Sequence, residues 1–240
     1  GGGRCRFLGG GGCFVWGWGG GAPRGGGGLR AGGRRAPTPY AGVFEARENP
    51  VDVDELVRLI DDRAPSPRSW ISLTDGEPLL QPRAVAALSE GLSACGRRVY
   101  LETHGLHTEA LEACVRWIDL VSMDWKLASD VRPGPGVRRP AGQDFHDAHA
   151  AFLRVATRAG GVYVKVVLTP ATKDAELDAM VDRIEAVSPS IPVVLQPVTP
   201  TGGVDRMPTA SQLLAWHARV EARLTDVRLI PQTHPIYGAL

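Results

Sequence analysis

From Val51 onward the chain alternates short apolar runs with apolar residues at helical spacing, and this alternation limits the fold more than any other feature. Val53, Leu56, Val57 and Ile60 mark a first helix, which Pro65 and Pro67 end. Trp70 to Leu73 is a short strand followed by Thr74-Asp75-Gly76-Glu77-Pro78. Val85, Leu88 and Leu92 give the next helix, with Gly96 just past its end. Val99 to Leu101 is a strand that runs into Glu102-Thr103-His104-Gly105, and Leu111 with Val115 suggests a further helix. Leu120 to Met123 is a third strand, leading into Asp124-Trp125-Lys126, and residues 129 to 141 read as a loop. Helix 145–159, strand 162–168, a helix on Leu177, Met180, Val181 and Ile184, and strand 193–196 follow. A long helix through Leu213, Leu214, Val220 and Leu224 and a strand 227–230 complete the pattern.

Strand then helix, repeated, argues for parallel strands joined by right-handed crossovers. Short apolar strands fit a sheet buried on both faces. Periodicity leaves two architectures open, an open doubly wound sheet and a full or partial (β/α) barrel. Both bind ligands at the C-terminal ends of their strands. The polar clusters fall there, after Leu73, Leu101, Met123 and Leu195.

The first 33 residues break the pattern, since they hold 17 of the chain's 30 glycines. Glycine costs backbone entropy on folding and brings no side chain to bury, so such a segment alone is expected to be flexible. Phe7, Leu8, Phe14, Val15, Trp16 and Trp18 work against that expectation, because linkers rarely carry so many large apolar groups. The reading therefore divides the chain into a glycine-rich segment, 1–45, and an α/β domain, 46–240. The chain opens on Gly1 rather than methionine, which reads as a fragment or a lost start. Neither a signal peptide nor an apolar run long enough for a bilayer is visible, so a cytoplasmic location without membrane contact is expected. The net charge of +1 gives no field for nucleic acid, and it argues against reading the glycine–aromatic start as an RNA-contacting arm. Cys95 and Cys114, in or beside helices, are expected to be buried free thiols.

Each polar cluster has a plain structural reading beside a functional one. Gly76 can let a ligand approach the backbone and Glu77 can bind an ammonium group, or the segment is a simple β–α turn with a helix-starting proline. His104 alone is more often a hydrogen-bonded loop residue than a base. Asp124 and Lys126 share a face of an extended segment and can grip a ribose or a carboxylate, or form a solvated ion pair. Gln232 and His234 can reach a barrel mouth or belong to a surface tail. No nucleophile elbow, P-loop lysine or dinucleotide-binding fingerprint is present.

Taken in order, several stretches resemble the 7-carboxy-7-deazaguanine synthases, radical S-adenosylmethionine enzymes of queuosine and related 7-deazapurine biosynthesis. They are Ser72 to Gln81, Glu102-Thr103-His104-Gly105, Asp124-Trp125-Lys126, Lys165-Val166-Val167, Leu195-Gln196-Pro197-Val198 and Pro231-Gln232-Thr233-His234. The resemblance implies a partial (β/α) TIM-like barrel that binds S-adenosylmethionine at Gly76, Glu77, Thr103, Asp124, Trp125, Lys126, Leu195 and Gln196. It places Thr74, Gln232 and His234 at a pterin substrate, 6-carboxy-5,6,7,8-tetrahydropterin. It further implies a [4Fe–4S] cluster, Mg²⁺, a flavodoxin-like reductant and a homodimer. The family holds its cluster with three cysteines spaced Cys-x3-Cys-x2-Cys. Cys13 matches the first, but Gly17 and Gly20 stand at the other two positions, and Ala22 stands where a Mg²⁺-binding threonine is expected. Asp75 replaces the first glycine of the family's Gly-Gly-Glu-Pro loop. The competing expectation is a cluster-free protein that binds S-adenosylmethionine or a pterin without catalysis.

Overall fold

A computed structural model describes residues 4–8, 13–19, 45–47, 52–64, 66–74, 76–131, 144–200 and 204–233, with backbone alone in the first three stretches. The chain divides into two compact units, one of residues 1–103 and 109–121, the other of 104–108 and 122–238.

The first unit carries β1 (Arg4–Leu8), β2 (Cys13–Gly19), β3 (Glu45–Arg47), β4 (Trp70–Leu73) and β5 (Arg98–Thr103) in the order β3-β1-β2-β4-β5. β1 is antiparallel to β2 and β3, whereas β2 pairs parallel with β4, and β4 with β5. The glycine-rich start thus builds strands onto the sheet that carries Trp70 to Leu73. Flexibility was the expectation from composition, and the alternating large residues of β2 account for the difference, since aromatic and β-branched side chains favour extended backbone.

Two helices cover this sheet. α1 (Val53–Arg63) starts on Asp52, whose carboxylate accepts the Glu55 N–H at 2.9 Å, and stops at Ala64, before the prolines. α2 (Pro82–Ala94) begins on a proline at its first position and is followed by Gly96 at φ +74°, in the left-handed region that favours glycine. Val85, Leu88 and Leu92 face Ile71, Leu73, Val99 and Leu101 in a core where all are essentially inaccessible. The expected helix near Leu111 is a short one, α3 (Thr108–Glu112), followed by a 3₁₀ turn at Val115–Trp117.

The second unit takes up β6 (Leu120–Trp125) from Ser122 onward, α4 (His146–Ala156), β7 (Val162–Leu168), α5 (Asp174–Val187), β8 (Val193–Pro197), α6 (Ala210–Glu221) and β9 (Val227–Leu229). β7, β8 and β9 are consecutive and parallel. α6 opens with a full capping box, in which Thr209 and Gln212 each satisfy the other's backbone N–H. Three guanidinium groups and their carboxylates tie helices at the surface, Arg219 to Asp174 and Asp178, Arg223 to Asp182 and Glu185, and Arg183 to Asp147.

The expectation of strands buried on both sides holds for β4 and β6, where Ile71, Ser72 and Leu73, and Val121, Ser122 and Met123, are all buried. It is corrected for β5, β7 and β8, in which buried residues alternate with more open ones. Their more open face carries Tyr100 and Glu102 in the first unit, and Lys165, Val194 and Gln196 in the second.

α1 and α2 touch at Gly91, where an added Cβ would lie 2.7 Å from Val57 Cγ2. Overpacking of that kind costs about 1–3 kcal/mol, against about 1 kcal/mol gained when alanine replaces glycine inside a helix. Urea denaturation is expected to show Gly91→Ala as destabilising in the native chain but stabilising in a Val57→Ala background. The same sign in both backgrounds contradicts the packing argument.

Candidate functional site

In the first unit the site starts at the tip of β4. Gly76 has φ +59°, so the turn after the strand requires glycine. The turn delivers Glu77, which caps the 3₁₀ turn Pro78–Leu80: its Oε1 accepts the Leu79 N–H at 3.0 Å. The same oxygen accepts the Thr103 hydroxyl, from the last residue of β5, at 2.8 Å. Just past the end of β4, Thr74 donates its hydroxyl to Oε2 of Glu102, the residue before Thr103 on β5, at 2.8 Å. Two bonds therefore join adjacent strand tips, and Glu77 is only 8% exposed. Thr74, Gly76, Glu77 and Thr103 are brought together, and Asp75 lies outside the described residues.

In the second unit Asp124 and Lys126 form an ion pair through Asp124 Oδ2, with 17% and 37% of their side chains exposed. Asp124 Oδ1 is buried and has no hydrogen-bond partner. A buried acceptor left without a donor is costly, so this oxygen suits a ligand hydroxyl or N–H. Between them Trp125 points the other way: it is 1% exposed and donates its indole N–H to His146 Nδ1 at 3.2 Å. Leu195 is likewise inaccessible, on the face of β8 opposite Gln196. Strand alternation thus leaves Trp125 and Leu195 only their backbone to offer a ligand, whereas Gln196 is on the open face. Gln232 is half-buried beyond β9, and His234 lies outside the described residues.

A histidine that sequence reasoning missed holds the second unit's loops. His149 of α4 is inaccessible; its Nδ1–H donates to the Gly105 carbonyl at 2.9 Å, and its Nε2 accepts the Lys126 N–H at 3.0 Å. Both ring nitrogens are satisfied by one neutral tautomer. Gly105 cannot be anything larger, since it has φ +68° and an added Cβ would lie 2.7 Å from Met123 Cγ. Nothing local marks His149 in the sequence, because its partners lie 44 and 23 positions away.

No protein-family model matches the chain. A 7-carboxy-7-deazaguanine synthase of Geobacter sulfurreducens is 31% identical over 210 residues, which cover 85% of this chain and 78% of that protein. The chain belongs to the 7-carboxy-7-deazaguanine synthase family. A member from Hyperthermus butylicus is 30% identical over 192 residues, 80% of this chain and 72% of its own length. Among solved structures, a radical SAM methyltransferase from Sphaerobacter thermophilus superposes with a TM-score of 0.53 at 20% identity, over 77% of this chain and 58% of that one. That likeness concerns the fold, an α/β architecture in keeping with the partial TIM-like barrel of radical SAM enzymes.

The thiols of this chain do not fit the cluster that the family pattern implies. Cys13 is the first residue of β2 and pairs with Trp70, the first of β4, while the β4 tip at Leu73 pairs with Trp16. Cys13 is thus three residues, about 10 Å, behind the strand tips that carry Thr74 and Glu77. Gly17 is a strand residue opposite Arg6, and Cys5 pairs with Trp18. Gly20 and Ala22 lie outside the described residues, and neither has a donor side chain. Cys95 is exposed at the end of α2, which corrects the expectation that it is buried. Cys114 is buried as expected; burial pushes its thiol up to about 11, which keeps it protonated. Among the described residues no group of three or more His, Cys, Asp or Glu could hold a metal ion.

Burial holds the His149 imidazole down at about 4, against 6.5 for a free ring. The unfolded chain therefore takes up this proton first as pH falls. Above about pH 6.5 the residue has no effect; between 6.5 and 4 it removes up to about 3 kcal/mol of stability, and below 4 the loss levels off. His149→Gln, which can keep one donor and one acceptor, is expected to flatten that part of a stability-against-pH curve measured by urea denaturation. An unchanged slope contradicts the assignment of a buried neutral ring.

Proposed function

We propose that this chain has the binding pocket of a radical SAM carbon–nitrogen lyase of the 7-carboxy-7-deazaguanine synthase type, taking S-adenosylmethionine and a carboxylated pterin, and is inactive as written because two cluster cysteines are absent. The observation that carries this reading is the Thr103–Glu77 bond, which fixes a nearly buried carboxylate at adjacent strand tips in a chain 31% identical to a synthase of that name. An anion in a low-dielectric pocket attracts an ammonium far more strongly than one in water. Glu77 is assigned the amino group of the cofactor's methionine part, with Gly76 giving close backbone approach and Thr103 orienting the carboxylate. In the second unit Asp124 Oδ1 is assigned a hydroxyl donor, with Lys126 holding the other oxygen, Gln196 offering its amide, and Trp125 and Leu195 contributing backbone. Thr74, Gln232 and His234 are assigned to the substrate. The chemistry this cofactor supplies in the family is a hydrogen-abstracting 5′-deoxyadenosyl radical, and the chain's own part is to orient both ligands and exclude water.

Electron delivery asks for soft, anionic thiolates on iron. With glycine at 17 and 20, the chain meets the binding demands of the reaction and not that one. Anaerobic iron and sulfide reconstitution is expected to leave the chain without cluster absorbance. Stable cluster formation by the unaltered chain contradicts this account. Glu77→Gln is expected to weaken S-adenosylmethionine binding about tenfold or more, equivalent to ~1.4 kcal/mol, in calorimetric titration.

A further inference from the structure

The main chain that follows β6 is held at both ends. At its start His149, on α4, accepts the Lys126 N–H on Nε2 at 3.0 Å and donates from Nδ1 to the Gly105 carbonyl at 2.9 Å. At its far end the Thr169 hydroxyl donates to Asp130 Oδ1, and the Thr172 hydroxyl donates to Oδ2 at 2.9 Å. Both threonine hydroxyls are committed as donors, since Thr169 Oγ1 accepts the Ala171 N–H and Thr172 Oγ1 accepts the Thr169 N–H. Between the two ends the Ser129 N–H and hydroxyl donate to Glu176 on α5. Of these bonds, the one from Lys126 to His149 is the one that acts on the Asp124–Lys126 pair.

The His149 ring has little freedom to move. It is inaccessible, and its centroid lies 5.0 Å from the Trp125 ring and 6.2 Å from the Phe145 ring. Gly105 leaves room for it, because an added Cβ there would lie 3.3 Å from Nδ1. With the proton on Nδ1, Nε2 acts as an acceptor, and the Lys126 N–H must point at it. That bond fixes where the Lys126 side chain leaves the backbone. The Lys126 ammonium then pairs with Asp124 Oδ2, while Oδ1 is buried with no hydrogen-bond partner. A displaced lysine would cover both oxygens or neither. In the first case Oδ1 has no lone pair left for a ligand; in the second the carboxylate loses the charge that balances it.

We infer that His149 is a positioning residue for ligand binding at Asp124: by holding the Lys126 main chain, it makes the ammonium cover one carboxylate oxygen and leave the other for a ligand hydroxyl. The inference rests on the proposed function in one respect, that Asp124 Oδ1 receives a hydroxyl of the bound cofactor. A histidine with a packing role alone would change the stability of the chain and leave the affinity of the folded chain as it was.

The test is a double-mutant cycle on the full chain, read by calorimetric titration with S-adenosylmethionine. His149→Ala is expected to weaken binding about tenfold, and His149→Gln, which keeps one donor and one acceptor, to recover most of that loss. In an Asp124→Ala background the same His149→Ala change is expected to have less than about a twofold effect, because the oxygen it positions is gone. Thr172→Val, which loosens the far end of the segment, is expected to bind as the unaltered chain does. Additive losses from His149→Ala and Asp124→Ala, a loss that glutamine does not recover, or an equal loss in Thr172→Val overturns the inference and leaves the family reading intact. Should His149→Ala fail to fold, nitrogen NMR of the unaltered chain decides. The His149 ring is expected to carry its proton on Nδ1, and its Nε2 resonance to move when S-adenosylmethionine is added. A ring protonated on Nε2, or an Nε2 resonance that does not respond to the ligand, overturns the inference. Wild-type affinity in Asp124→Ala overturns it together with the role assigned to Asp124. An unaltered chain that binds no S-adenosylmethionine overturns the proposed function itself.

Discussion

The first unit depends on one buried carboxylate. Glu77 ends the turn after β4, starts the 3₁₀ turn that leads to α2, and receives the hydroxyl of the last residue of β5. Each of those jobs fixes a neighbour's identity: glycine at 76 for the turn, proline at 78 where no N–H is needed, threonine at 103 for a donor. A short polar motif after a strand thereby becomes a rigid anion. Burial makes the arrangement demanding as well as useful, because an ionised group with little solvent must be met by donors.

The second unit is held by a neutral ring where the first is held by an anion. His149 bonds the Gly105 carbonyl and the Lys126 N–H, and the Trp125 ring packs 5.0 Å from its own. Lys126 is thus placed by its main chain, and its side chain is left to pair with Asp124. The cost is sensitivity to acid, because the ring that satisfies one donor and one acceptor cannot do so once both nitrogens carry protons.

Much of this was legible in the sequence. Apolar runs of three to seven residues located β4 to β8, helical spacing located the long helices, and the polar residues after Leu73 and Leu101 meet in two hydrogen bonds. What could not be read has physical causes. His146 and His149 act through partners distant in sequence, and so do Asp130 and Thr169, so no local pattern announces them. The buried and open faces of each strand depend on what packs above it. Cys95 is exposed because helix α2 ends there, a boundary that spacing alone leaves uncertain. The N-terminal strands were obscured by glycine content, although the alternating large residues of β2 carried the signal. The thiols pose the sharpest contrast: Gly76, Glu77 and Pro78 match the family's loop, while two of the three positions that supply sulfur in the family's pattern, Gly17 and Gly20, have no side chain.

The central claim is that Glu77 recognises the amino-acid end of S-adenosylmethionine whatever the state of the cluster. Calorimetric titration of the unaltered chain with S-adenosylmethionine and with methylthioadenosine, which lacks that end, tests it directly. The account predicts at least about a tenfold preference for the complete cofactor, lost in Glu77→Gln. Equal affinity for the two ligands, or a preference that survives removal of the carboxylate charge, contradicts it.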